Sequence, residues 1–136
     1  MMPKFRVYDK HLKILTDISY IDFEGNELMY WLEDIQIVRD FDEVILMQST
    51  GHKDKNGVEI FEGDIVKRTY LFNGGYGETH TGEVVYDEEY AQYVISRPQK
   101  YIEPKTEDLR NVLSDKSTYE VIGNICENPE LMEVDE

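Results

Sequence analysis

Residues 44–67 read VILMQSTGHKDKNGVEIFEGDIVK, and this stretch limits the possible folds more tightly than the rest of the chain. A strand-length apolar run, Val44-Ile45-Leu46-Met47, leads into a loop ending at Asn56-Gly57. A second turn at Glu62-Gly63-Asp64 then opens the β-prone pair Ile65-Val66. Asn-Gly and Gly-Asp offer the positive φ angles that tight reversals require, so the chain must turn back twice within a few residues. The unbroken apolar run predicts a core strand buried on both faces. No side chain in the stretch pairs a nucleophile with a base.

The flanking sequence continues the extended pattern. Phe5-Arg6-Val7-Tyr8 alternates and is β-prone, which predicts a strand closed by Asp9-Lys10, with a hairpin partner at residues 12–15. Residues 26–35 are ambiguous. Leu28, Trp31, Leu32 and Ile35 fall at helical spacing behind a possible cap at Asn26, which predicts a short helix. The competing reading is a pair of strands turned at Glu24-Gly25-Asn26, a reading that the β-prone Tyr30-Trp31 keeps open. Further strands are expected at residues 64–71, 83–86 and 90–96, with a glycine-rich loop at 72–78 and a turn at Asp87-Glu88-Glu89. A polar excursion follows, with a helical turn expected at 106–112 and Thr106 as its cap. Residues 119–126 read as a final strand in which Gly123 permits a bulge or a close backbone approach. Short strands joined by glycine turns predict a small barrel.

Charge narrows the choice of partner. The chain has 136 residues, with 14 basic against 29 acidic side chains and a formal net charge of −15. That balance opposes attraction to a phosphate backbone, so nucleic acid is disfavoured as a partner on electrostatic grounds. The middle third is the least acidic part, and Lys53, Lys55, Lys67 and Arg68 are the contacts a nucleic-acid reading would use. The bland reading has these side chains solvating a loop and a strand edge. A single cysteine and the lack of an apolar leader point to a cytoplasmic protein, and no apolar run is long enough for a membrane span.

Searched for chemistry, the sequence offers little. Placing Gly57 at the sixth position of a calcium loop would put His52 first and Gly63 twelfth, and neither supplies a carboxylate. The Asn73-Gly74-Gly75-Tyr76-Gly77 segment lacks a following Lys-Ser or Lys-Thr, so it is not a phosphate loop. His11, His52, His80 and Cys126 show no paired metal-ligand spacing, and Cys126 reads as a small buried hydrophobe. The expectation is therefore no cofactor, no metal and no enzyme. Ten tyrosines and one tryptophan are the remaining signal. Adjacent residues of a strand point to opposite faces, so Tyr30-Trp31 must send one ring away from the core if extended. Tyr30, Trp31 and the loop residue Tyr76 are the candidate interaction surface, with core packing as the competing account.

Several strings carry a family resemblance. The LMQSTGHKDKNGVEIFEGDIVK segment, the early Lys4-Phe5-Arg6-Val7-Tyr8-Asp9, the central Gly82-Glu83-Val84-Val85, and the late Tyr119-Glu120-Val121-Ile122-Gly123-Asn124-Ile125 with Glu127-Asn128-Pro129-Glu130-Leu131 occur in the order seen in YopX-like phage and prophage proteins. Ser49, His52 and Cys126 depart from residues common there. The resemblance carries no established activity. It implies a phage or prophage origin and an SH3-like small β-barrel with an added N-terminal part. The resulting expectation is a mainly β, overall α+β protein. An α+β segment at residues 1–43 packs on a barrel at 44–136, which has an irregular excursion near 98–117. Its expected role is a non-enzymatic module that binds a protein partner or itself as a homo-oligomer, and the alternative is a nucleic-acid-associated accessory protein.

Overall fold

The computed structural model describes residues 3–71, 77–96, 106–108 and 119–133. The chain divides into two compact units, Met1–Ser49 and Thr50–Glu136. Strands dominate both, and helix among the described residues is confined to two 3-10 turns, Phe41–Glu43 and Pro129–Met132.

In the first unit, β1 (Phe5–Asp9) pairs with β2 (Ile14–Asp17) on one side and with β6 (Val44–Lys53) on the other, all antiparallel. A separate antiparallel sheet follows the order β3 (Tyr20–Asp22), β4 (Glu27–Leu32), β5 (Ile35–Asp40). The two sheets share a core of Val7, Leu28, Tyr30 and Val44, with Ile18, Ile21, Ile37 and Leu46 packed around it.

The helix expected at residues 26–35 is not formed, and the strand-pair reading is the correct one. Leu28 and Tyr30, two apart, face inward, and Leu32 pairs with Ile35 across a two-residue loop, Glu33-Asp34. Glu33 holds a φ of +54°, a reversal with no glycine or asparagine to announce it. The α+β character expected for the N-terminal segment thus shrinks to one 3-10 turn. The apolar run of β6 also differs from its expectation of burial on both faces. Val44 and Met47 are buried, whereas Ile45 is 41% exposed.

The second unit holds β7 (Glu59–Phe61), beside the end of β6, and a five-stranded sheet. Its order is β11 (Thr106–Asp108), β10 (Gln92–Ser96), β9 (Gly77–Asp87), β8 (Asp64–Leu71), β12 (Tyr119–Asn124). Every pairing is antiparallel and the sheet curls into a half-barrel, the small-barrel architecture expected from the strand spacing. Ile60, Val66, Val84, Ile95 and Tyr119 fill its interior. Thr106–Asp108 is a strand on β10 rather than the expected helical turn, its backbone paired with Val94, Ile95 and Ser96 of the preceding strand. The rest of that expected turn, 109–112, lies outside the described residues.

The double reversal is present. Gly57 and Gly63 have φ of +80° and +88°. The buried Asp54 carboxylate shapes the first turn by accepting the N–H groups of Asn56 and Val58, and its other oxygen accepts the Val121 N–H of β12 at 2.9 Å. At the second turn, Asp64 accepts the Phe61 N–H, while Gly63 donates to the Val84 carbonyl and accepts from Ile125 N–H. Between Val121 and Gly123 the register with β8 shifts, which is the expected bulge.

Candidate functional site

The site with the most distinctive surface chemistry is the solvent side of the β3-β4-β5 sheet. Register builds it. Tyr20 stands opposite Met29, and Met29 opposite Val38, so three apolar side chains form a row across three strands. Trp31 lies two residues along β4 on the same face, opposite Gln36 and diagonal to Val38. Tyr20, Trp31 and Val38 are each half or more exposed, at 57%, 52% and 50%. At the other end, Asp22, Glu27 and Asp40 form a second row with the same pairing. Phe23, on the turn beside it, is exposed and makes an edge-on contact with Phe41. Tyr20 also borders a groove of about 470 Å³ lined by residues 3–5 and 17–21.

The inner side explains why this face has its orientation. Asp9, fully buried at the end of β1, accepts hydrogen bonds from the Tyr30 O–H at 2.5 Å and Arg39 Nε at 2.8 Å. Its other oxygen accepts the His11 and Leu12 backbone N–H groups. Burial alone would raise the Asp9 carboxyl, yet these donors hold it down at about 2. Burial, then the bond to Asp9, pushes Tyr30 up to about 12, and the Asp9 hydrogen bond raises Arg39 further. The triad anchors β4 and β5 with Tyr30 and Arg39 inward, which turns Trp31 and Val38 outward.

The sequence-derived candidates separate accordingly. Trp31 is on the exposed face. Tyr30 is not: it is fully buried and hydrogen-bonded, and its place in the interaction surface is corrected to a core position. Tyr76 lies outside the described residues. Tyr20, Met29 and Val38 were missed as surface residues, because only the pairing register brings them together.

Of the four lysines and arginines named for nucleic acid, Lys53 and Lys55 are exposed, while Lys67 and Arg68 are half-buried. Lys55 reaches Glu120 at 3.7 Å, and Glu120 is also the cross-strand partner of Lys67. Arg68 donates to the Tyr119 hydroxyl at 2.7 Å and lies over its ring. They do not form a clear basic patch.

Other titratable groups are dispersed. Burial lowers His52, and burial with the nearby Glu62 raises Glu83. His11 contacts Glu43 at 3.5 Å. Cys126 is half-buried in the turn after β12, not within the strand. Among the described residues no group of three or more His, Cys, Asp or Glu side chains is placed to hold a metal ion. No helix among them is long and apolar enough to cross a membrane.

Comparison with known proteins places the whole arrangement. The crystal structure of protein EF1440 from Enterococcus faecalis is similar, with a TM-score of 0.63 and 28% sequence identity over 98% of this chain and 99% of that one. A search of curated proteins gives no significant match. The family model described as YopX protein matches residues 4–133, which takes in both units and all the motif strings above. The chain therefore belongs to the YopX family.

Proposed function

We propose that the chain is a non-enzymatic protein-interaction module, of phage or prophage origin, that docks a partner on the outer face of β3-β4-β5. One observation carries the reading: Tyr20, Trp31 and Val38 expose large apolar area side by side on a regular sheet, beside the half-buried Met29. Aromatic residues supply much of the energy at interface hot spots, and covering them removes apolar area from water. The same side chains have no role in the core beneath, which Leu28, Tyr30 and Ile37 already fill. The nucleic-acid alternative draws less support, since Lys55 faces Glu120 and Arg68 is bound to Tyr119.

The test is affinity purification of the tagged full chain from bacterial cells that carry it, beside the Trp31→Ala and Val38→Thr variants. A specific captured protein should be lost or strongly depleted with both variants, while their melting temperatures stay within a few degrees of the parent. Identical captures from parent and both folded variants would refute the assignment of this face.

A further inference from the structure

We infer that the partner of this face is a basic polypeptide segment that sets Lys or Arg side chains beside an apolar anchor. The inference rests on the docking reading above and adds the chemistry of the occupant.

Asp22, Glu27 and Asp40 stand directly opposite one another across three strands, two residues along from the apolar row of Tyr20, Met29 and Val38. Like charges directly opposite in a sheet are destabilising, so the row costs the free protein stability. Among the described residues no ion pair engages any of the three. Asp22 accepts the Gly25 N–H through one oxygen only. Residues 20–40 carry six acidic side chains, Asp22, Glu24, Glu27, Glu33, Asp34 and Asp40, against a single basic one, Arg39. Arg39 alternates to the opposite face and is held on buried Asp9. The outer face is therefore apolar and acidic, with no cation of its own segment.

That combination selects among occupants. A second copy would bring like-charged rows into one interface, and nucleic acid or an anionic lipid surface would meet the same repulsion. A basic segment gains instead, relieving the row's self-repulsion while its apolar side chain covers the Tyr20, Trp31 and Val38 patch. Spacing agrees with an extended chain. The two rows are two residues apart along each strand, about 7 Å, which is also the separation of side chains at i and i+2 of an extended segment. Alternating apolar and basic residues on one side of such a segment would meet alternate rows.

Fluorescence anisotropy with the intact chain tests this, using two labelled synthetic peptides of equal charge. One repeats Leu-Ser-Lys-Ser, which sets Leu and Lys at i and i+2 on one side of an extended chain (the Lys-Leu peptide), and the other repeats Ser-Ser-Lys-Ser (the Lys-Ser peptide). The chain should bind the Lys-Leu peptide more tightly than the Lys-Ser peptide. The triple variant Asp22→Asn/Glu27→Gln/Asp40→Asn should weaken Lys-Leu binding about tenfold or more, with reduced salt dependence. The triple variant Glu88→Gln/Glu89→Gln/Glu130→Gln, with the same loss of charge at exposed sites elsewhere, should change it by less than about twofold. Equal weakening by both triple variants, or equal binding of both peptides, would reduce the effect to general polycation attraction and overturn the inference. A partner captured from cells through Trp31 but unaffected by the acidic-row variant would leave the docking face standing and overturn the basic chemistry alone. A doubling of mass in light scattering that is lost on Trp31→Ala would make the occupant a second copy, and would likewise overturn it.

Discussion

Asp9 is a buried carboxylate that accepts four hydrogen bonds, from His11 N–H, Leu12 N–H, Tyr30 O–H and Arg39 Nε. An ion without those donors could not remain charged among Val7, Leu28 and Val44. Tyr30→Phe keeps the ring's packing and deletes one donor to a charged acceptor, so it should cost about 1.5–3 kcal/mol by urea unfolding. Acid should have a related effect. The Asp9 carboxyl is held at about 2 in the folded chain against an ordinary 3.8. Between those values the unfolded chain binds the proton more readily, so stability rises with pH across the window and falls as pH drops from about 5 toward 2. The shift corresponds to roughly 2 kcal/mol of stability present at neutral pH. In Tyr30→Phe the acid-dependent loss should be smaller, because the folded carboxyl moves back toward its ordinary value. Parallel stability-versus-pH curves for the two proteins would show that the hydrogen bond does not set the titration.

At the scale of elements, two glycines with nearly the same φ allow conformation to be separated from space. Gly57 is exposed, and a Cβ built there meets nothing within 4 Å. Gly63 is buried and locked by backbone bonds to Val84 and Ile125. Gly57→Ala should therefore cost only the positive-φ strain, about 1 kcal/mol. Gly63→Val adds a β-branched side chain to an enclosed turn and should lower the melting temperature by about 5 °C or more beyond that. Similar melting temperatures for the two variants would mean that the enclosure of Gly63 is not a packing constraint. These turns were legible beforehand because Asn56-Gly57 and Gly63-Asp64 encode them locally, and so was the bulge at Gly123. The β4–β5 turn was not, since Glu33 adopts its φ of +54° without any local signal and Leu28, Trp31, Leu32 and Ile35 mimic a helical stripe. Of the candidate surface, Trp31 could be named from strand alternation. Which of Tyr30 and Trp31 turned inward depended on Asp9 and Arg39, many residues away, and the apolar and acidic rows exist only through three-strand register.

For the molecule as a whole, charge and fold point to different partners, and the magnitudes decide between them. Small barrels are a recurrent scaffold for nucleic-acid binding, but fold alone does not confer that activity. Here the formal net charge is −15, and each basic residue in the region least dominated by acid has to act against it. Phosphate binding draws on several uncompensated cations at once, each releasing counterions. Among the described residues of the half-barrel, Lys55 and Lys67 both lie beside Glu120, and Arg68 is turned onto Tyr119. Random duplex DNA should therefore bind more weakly than the roughly 10⁻⁴ to 10⁻⁶ M of ordinary nonspecific binders at physiological salt. A filter-binding or anisotropy titration of the intact chain against a salt series would measure this. Micromolar binding that falls steeply with salt and disappears in Lys53→Glu/Lys67→Glu would place the functional surface on the half-barrel. It would also remove the argument that this acidic chain selects basic partners, because the local field would then have overcome the net charge.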